Sequence, residues 1–143
     1  MLISTKGRYA LRVMADLAEH QAEGFIPLKE IAERQNISEK YLESIVKLLV
    51  KARLLGSLRG KGGGYKLVKP AEQYSVGSIL RLTEATLAPV SCLEQGAEAC
   101  PRAAECCTLA MWNGLNQVIN DYLDNITVAD LARPGAAGSG QII

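Results

Sequence analysis

Four cysteines lie between residues 92 and 107 of this 143-residue chain, and their thiols are the side chains best suited to chemistry. Three of them follow the spacing C-x7-C-x5-C at Cys92, Cys100 and Cys106, and Cys107 comes directly after the third. Thiolates are soft ligands that suit iron–sulfur clusters, zinc and copper(I), and three on one flexible loop can reach neighbouring irons. Since the loop has few apolar residues of its own to bury, an ordering metal would explain it.

The residues alone leave the nature of this cysteine site open. Structural zinc sites usually contain paired C-x2-4-C motifs, and the chain has none. An iron–sulfur cluster, a zinc ion, and free redox-sensing or structural thiols are all compatible with the spacing. On a helix, the side chain of Cys107 would diverge from that of Cys106 by about 100°, so we expect Cys107 to be a small buried hydrophobic residue. The alternative is that Cys107 supplies a further ligand.

Composition and residue order exclude several classes of protein. With 48% hydrophobic and 22% charged residues the chain has an ordinary globular balance, and no stretch approaches the roughly 18 apolar residues of a membrane helix. Lys6, Arg8 and Arg12 interrupt any secretory hydrophobic region, so we expect a cytoplasmic protein that binds no membrane. No nucleophile with its base and no paired carboxylates stand in a pocket-like context, which predicts that the protein is not an enzyme.

The net charge of +1 is the sum of two halves of the chain that carry opposite net charges. Residues 1–70 contain 13 Lys or Arg against 7 Asp or Glu, a balance of +6, whereas residues 71–143 contain 3 against 8, a balance of −5. Within residues 40–69 there are eight basic side chains and one acid, Glu43. The first half is therefore suited to a polyanion.

The elements that carry this charge are predicted from apolar spacing and caps. Thr5 can cap a helix running to about Gln21, and a second helix is expected over residues 28 to 35. Ser38 is a suitable N-cap for a third helix through about Leu54. That helix has an apolar face of Leu42, Ile45, Val46 and Leu49 and an opposite, largely basic face of Lys40, Ser44, Lys47 and Lys51.

Two short β-like runs follow, residues 56 to 59 and 65 to 68, on either side of a glycine-rich tip. This pattern predicts a hairpin, and a helix-turn-helix followed by a basic hairpin is typical of a winged helix. After the cysteine loop a helix is expected from about Glu105 to Asn125. Its apolar residues follow 3-4 steps that favour a twofold dimer over packing on its own domain: Trp112, Leu115, Ile119, Tyr122 and Ile126.

Three segments in this order resemble the bacterial winged-helix transcriptional regulators of the IscR, NsrR and CymR superfamily, and most closely the IscR-type iron–sulfur regulators. They are STKGRYALRVM, the stretch from IPLKEIAERQ to GGGYKL, and the cysteine loop with the Trp-bearing helix that ends NDYLDNITVADL. The resemblance covers about residues 1 to 132. It implies a mainly α fold with a small β-hairpin wing: a winged helix-turn-helix DNA-binding domain over residues 1–80 and a cluster-binding loop and dimerisation helix over 81–132. The composition of residues 133–143, rich in Gly and Ala, separately predicts a flexible tail.

By position, the resemblance also implies a set of DNA-contacting residues on a palindromic double-stranded operator. The recognition helix supplies Ser38, Lys40, Tyr41, Glu43, Ser44 and Lys47, and the wing supplies Arg59 and Lys61. From the basic face of the helix, Lys47 and Lys51 are expected on phosphates, and Arg59 is expected in a groove. Glu43 has two interpretations: it pairs with Lys47 one turn along the helix, or it acts as a specificity filter that accepts from cytosine N4.

For the cysteine loop, the resemblance implies an iron–sulfur cluster held by Cys92, Cys100 and Cys106, with [2Fe-2S] favoured over [4Fe-4S]. IscR-type members place a His three residues after the third Cys, where this chain has Leu109, and its single histidine, His20, lies in the first helix. Some nitric-oxide-sensing members place an acid near the N-terminus, where this chain has Arg8. The fourth ligand is thus unassigned among Cys107, a carboxylate and His20.

The function expected from the resemblance is a homodimeric transcriptional regulator that senses cluster or redox status and controls iron–sulfur assembly or related genes. One alternative is a metal-free, thiol-responsive or partner-regulated repressor of sulfur metabolism. A small iron–sulfur electron-transfer protein is the other, although it would leave the basic helix and wing unexplained.

Overall fold

The computed structural model describes residues 1–132, so the tail expected to be flexible, residues 133–143, lies outside the described residues. The described chain is mainly helical with one antiparallel hairpin, as predicted. In order, its elements are α1 (Thr5–Glu19), α2 (Leu28–Gln35), α3 (Glu39–Lys51), β1 (Leu55–Leu58), β2 (Gly64–Leu67), α4 (Val76–Thr83), α5 (Leu109–Asp124) and α6 (Val128–Ala132).

Helix α1 begins after a serine cap. The Ser4 hydroxyl accepts from the Gly7 N–H at 3.0 Å, and Ser4 has the extended backbone of an N-cap, so the prediction of Thr5 as the cap was wrong. Both residues satisfy the cap preference, and only the backbone path into the helix decides between them. The helix also ends at Glu19, because residues Gln21–Glu23 form a separate 3-10 turn.

Helices α2 and α3 form the expected helix-turn-helix. Asn36 ends α2 with a left-handed backbone (φ 54°), a conformation that asparagine adopts more readily than most residues. The Ser38 hydroxyl then accepts from the Tyr41 N–H at 3.1 Å and caps α3, as predicted. Since α3 ends at Lys51 rather than near Leu54, the chain turns into the hairpin slightly earlier than expected.

One apolar core holds α1 against the helix-turn-helix. The apolar side chains on the buried faces of α1 and α3 are nearly inaccessible to solvent, and they include Val13, Met14, Leu17, Leu42, Ile45 and Leu49. This is the apolar face predicted for the third helix, and its burial leaves the opposite, basic face in solvent. The core therefore determines how α3 presents its charged side chains.

The hairpin is fastened to this core at its base. Strands β1 and β2 pair with Leu55 opposite Leu67, and both leucines are buried. Ile26 adds an isolated bridge, exchanging two 2.9 Å backbone hydrogen bonds with Tyr65. Gly64 is required at this point, because a Cβ there would lie 2.1 Å from the Ile26 carbonyl oxygen and its φ is 149°. The wing is consequently fixed at its base, close to α2.

The end of the described chain returns to the first helix. Ser75 and Thr127 form an isolated antiparallel bridge, and the buried Val128 of α6 belongs to the same core as α1. A second apolar cluster contains Val76 and Leu80 of α4 with Leu87, and Leu123 and Ile126 pack against it. Ile126 thus lies on its own subunit rather than on the outward seam predicted for it.

Helix α5 contacts the rest of the chain mainly through α4. Arg81 donates to Asp124 at 2.6 Å and to Asn120 at 2.6 Å, and Gly77 makes room for this cluster, since a Cβ there would lie 2.1 Å from an Asp124 oxygen. No α5 side chain is fully buried in the single chain. Within residues 1–132 no helix is both long and apolar enough to cross a membrane.

Candidate nucleic-acid interface and cysteine loop

The outward face of α3 carries all the recognition-helix residues that the resemblance implies. Ser38, at its cap, and Lys40, Tyr41, Glu43, Ser44 and Lys47 are exposed, whereas the apolar residues interleaved with them are buried. The N-cap hydrogen bond of Ser38 and the buried apolar face hold this helix in place, and the polar side chains of the opposite face stay at the surface. The exposed face is therefore available for a ligand.

The wing extends this surface on one side of α3. Arg59 and Lys61 are exposed near the tip of the hairpin, where Gly60 and Gly62 have positive φ angles of 91° and 77°. A groove of about 580 Å³ lies between helix and wing, and Lys47, Lys51 and Arg59 are among the residues that line it. Three cations around one open groove match the charge of a phosphate backbone.

Glu43 has a local partner on this surface. Its carboxylate lies 3.6 Å from the Lys47 ammonium in an i, i+4 ion pair, and both side chains are mostly exposed. Such a pair stabilises a helix by only about 0.2 to 0.5 kcal/mol, so a stronger anion or donor can displace it. The contact agrees with the structural interpretation of Glu43 and leaves its groove-facing interpretation a prediction.

The cysteine loop is an open segment in the single chain. It contains two short 3-10 turns, Ser91–Leu93 and Ala103–Glu105, and all four cysteines are exposed. Nowhere in residues 1–132 do three or more His, Cys, Asp or Glu side chains form a group able to hold a metal ion. The structure therefore does not bring Cys92, Cys100 and Cys106 together, although it places all three on the same accessible segment.

Two predictions for the end of this loop were wrong. We expected the following helix from about Glu105, but α5 begins at Leu109, so Cys106 and Cys107 precede it. Cys107 is exposed in the single chain rather than buried. The apolar and small residues after Glu105 fit a helix locally, but no other part of residues 1–132 covers Cys107.

Cys106 lies where its thiolate is favoured. A hydrogen bond with the Thr108 hydroxyl, Sγ to Oγ1 3.4 Å, and backbone N–H groups at the start of α5 lower the pKa of Cys106 below its ordinary value. The imidazole of His20 is engaged at the end of α1, where its Nδ1 lies 2.8 Å from the Asp16 carbonyl oxygen. Of the two, Cys106 is the better prepared to bind a soft metal or react with an oxidant.

The exposed apolar face of α5 differs from the predicted seam. Trp112 and Ile119 are half-buried, whereas a stripe with 4-3-4 spacing is exposed, namely Met111, Leu115, Val118 and Tyr122. We call these four residues the α5 stripe. Met111 and Val118 were missed because two overlapping heptad registers fit the helix, and only the position of α4 selects between them.

Comparison with known proteins finds transcriptional regulators that are similar over nearly the whole chain. Residues 3–134 match the Rrf2 family, described as iron-dependent transcriptional regulators. The HTH-type transcriptional regulator IscR of Erwinia tasmaniensis is 42% identical over 131 residues, which cover 92% of this chain and 78% of the relative.

Two solved structures are similar in fold as well as in sequence. IscR of T. potens superposes with a TM-score of 0.72 at 36% identity, covering 100% of this chain and 93% of the other. CymR, the global cysteine regulator of B. subtilis, superposes with a TM-score of 0.75 at 37% identity, covering 92% of this chain and 96% of the other.

Proposed function

Because the chain belongs to the Rrf2 family of transcriptional regulators, we propose that it is a homodimer that binds palindromic operators and responds to an iron–sulfur cluster or to redox state. The observation that carries this proposal is the exposed polar face of α3 beside a basic wing. The genes it controls would be those of iron–sulfur assembly or related processes, and its place would be the cytoplasm.

In this proposal the two parts of the interface have different tasks. Ser38, Lys40, Tyr41, Glu43 and Ser44 lie at or near the N-terminal end of α3, where a recognition helix meets base edges in the major groove. Lys47 and Lys51 neutralise phosphates, and Arg59 reaches a groove from the wing, where Lys61 is the second cation. Loss of a phosphate contact weakens binding to all sequences, whereas loss of a base contact changes preference.

Dimerisation would place two such surfaces on one palindrome. The α5 stripe leaves large apolar side chains in solvent, and a twofold mate presents the same stripe to cover them. A palindromic site requires two recognition helices roughly 34 Å apart, one turn of DNA. The partner we propose for the stripe is therefore a second copy of this chain.

The cysteines fit an iron–sulfur cluster by their chemistry and accessibility. Cys92, Cys100 and Cys106 are soft donors, all are exposed, and hydrogen bonds lower the pKa of Cys106. We propose that these three thiolates hold the group, a [2Fe-2S] rather than a [4Fe-4S] cluster, with the fourth ligand unassigned. A cluster of this kind supplies one-electron redox chemistry. The protein's own part is to bring together three thiols that the single chain leaves apart.

The connection from this loop to the DNA-binding surface would run through α4. The loop follows α4, and Glu84, just after that helix, accepts hydrogen bonds from the Ser4 N–H at 2.6 Å and the Ser4 hydroxyl at 2.7 Å. Near the end of α4, Arg81 also ties that helix to Asp124, the last residue of α5. Reordering of the loop would therefore act on α4, the helix that contacts both α5 and the start of α1.

One experiment tests the proposal as a whole. Anaerobically purified protein is examined for visible absorbance with iron and sulfide counts, and the same sample is titrated with operator DNA at fixed salt. We expect a coloured protein whose affinity for its operator differs from that of the apo form. Colourless protein with operator affinity that responds to oxidation would instead support the metal-free, thiol-responsive regulator, which the exposed cysteines and the similarity to a cysteine regulator favour. A coloured protein without DNA affinity would identify an electron carrier.

The role of Glu43 can be tested within the same assay. If its carboxylate excludes operators that lack a suitable donor, Glu43→Ala should raise affinity for the disfavoured operators and leave the preferred ones nearly unchanged. The measurement is the affinity of apo and cluster-bound protein for a panel of operators. An equal shift on every operator would leave only the ion pair with Lys47 as its role.

A further inference from the structure

Tyr41 of the recognition helix belongs to a series of contacts that leads back into α1. Its ring meets the ring of Tyr9 edge to face, with centroids 5.6 Å apart and planes at 89°. On the other side, the guanidinium of Arg12 lies 5.3 Å from the centroid of the Tyr9 ring. Tyr41 nevertheless remains 38% exposed, so the contact holds part of its ring and leaves the rest accessible.

A buried carboxylate anchors this series at its inner end. Arg12 donates to the backbone oxygen of Gln35 and, at 3.1 Å, to its side-chain oxygen. The Gln35 amide donates to Asp16 at 2.9 Å, and Arg34 donates to Asp16 twice, at 3.0 and 2.8 Å. Asp16 is only 2% exposed, and a buried carboxylate is costly without its donors. Arg12 is therefore held in a defined place by α2.

From these contacts we propose that Tyr9 and Arg12 are positioning residues that determine which base pair Tyr41 prefers, without contacting that base pair themselves. An exposed tyrosine on a helix can adopt more than one side-chain rotamer, and an edge-to-face partner stabilises one of them. Arg12 in turn fixes the Tyr9 ring by a cation–π contact. The inference rests on the proposed function, since it requires that α3 contacts DNA through Tyr41.

The test measures base preference rather than affinity alone. Binding of the full chain is measured on an operator and on each single-base change within one half-site. Tyr41→Ala identifies the base pair whose preference Tyr41 carries. Tyr9→Leu, which removes the aromatic edge, should lower the discrimination at that same base pair by about three- to tenfold and leave the other positions unchanged. Tyr9→Phe keeps the ring and should behave like the wild type.

A double-mutant cycle separates positioning from a general structural effect. In the Tyr41→Ala background, Tyr9→Leu should change discrimination by less than about twofold, because the residue it positions is gone. An undiminished effect in that background overturns the proposal, as does an equal loss of affinity on every operator variant. If Tyr9→Phe loses as much as Tyr9→Leu, the hydroxyl contacts DNA directly and the positioning role is also overturned.

Arg12 offers a second variant, at a side chain that lies on the surface and makes no direct contact with Asp16 through the hydrogen bonds of this series. Arg12→Gln should reduce discrimination at the Tyr41-dependent base pair. Arg8→Gln is the matched control: Arg8 is exposed on the same helix and its side chain donates to Thr5. Both changes remove one positive charge, so both should alter the salt dependence of binding to a similar extent. Equal effects of the two on base preference would overturn the proposal.

The same measurements distinguish failure of this inference from failure of the proposed function. Wild-type protein that shows no operator preference at all contradicts the proposed function. Wild-type protein with a clear preference that Tyr41→Ala leaves intact contradicts only the inference, because another residue then reads the DNA. Loss of preference in Tyr41→Ala together with a coupled loss in Tyr9→Leu supports both.

Discussion

Replacement of Val118 by glutamate should dissociate the homodimer that we propose. Val118 is 63% exposed on the α5 stripe, the largest exposed fraction of the four. Burying a whole valine contributes about 1.5 kcal/mol, so covering the exposed part contributes about 1 kcal/mol per subunit. A twofold interface contains the residue twice, and the loss of about 2 kcal/mol corresponds to about a 30-fold weaker dimer. In the variant, the two glutamates would also bring like charges together across the interface. This repulsion should weaken the dimer further, so that its affinity falls by more than about 100-fold in total.

The assay is sedimentation velocity over a dilution series, with wild type and variant at equal salt. Val118→Ala should give a smaller increase in the dimer dissociation constant, because it removes apolar contact without adding charge. Ala110→Glu is the control: it adds the same charge at an exposed position of α5 that is outside the stripe, and it should remain as dimeric as the wild type. A Val118→Glu protein that dimerises like this control would show that the interface lies elsewhere and that the reasoning from exposure is wrong.

Three further predictions concern the wing, the cysteines and the start of α1. Arg59→Ala should weaken operator binding by about tenfold if Arg59 enters a groove, as read by fluorescence anisotropy, and unchanged affinity would contradict the wing assignment. Alanine at Cys92, Cys100 or Cys106 should each abolish the visible chromophore, whereas Cys107→Ala should keep it; a colourless Cys107→Ala protein would make that residue a ligand. Partial burial raises the pKa of Glu84, but hydrogen bonds from Ser4 and Thr83 outweigh this effect and lower the pKa overall. The charged Glu84 therefore stabilises the fold near neutral pH, and this contribution is lost as the pH falls through the lowered pKa. Thermal melts should therefore show Glu84→Gln less stable than wild type at pH 7 and closer to it near pH 3, and an equal difference at both pH values would refute this.

Local rules were sufficient where one segment forms one element. The caps and periodicity of α3 predict both its buried and its charged face, because a helix core and its first-turn cap depend on residues within one or two turns. The glycine-rich tip predicts the hairpin for the same reason. Even the helix-turn-helix depends on Asn36 and Ser38, which are separated only by Ile37 in the chain and act on nearby backbone groups.

Contacts between distant segments were decided only by the tertiary structure. Two heptad registers fit α5 equally well in sequence, and the Arg81 contacts across to Asp124 select the one that turns Met111 and Val118 outward. The sequence likewise places the cysteines on one loop, but their spacing does not show whether the folded chain brings their thiols close together. The pairing of Tyr9 with Tyr41 joins residues from α1 and α3, and it exists only because the core brings those helices side by side. In each case the arrangement is determined by the energy of a contact between distant segments, and local periodicity carries no information about such contacts.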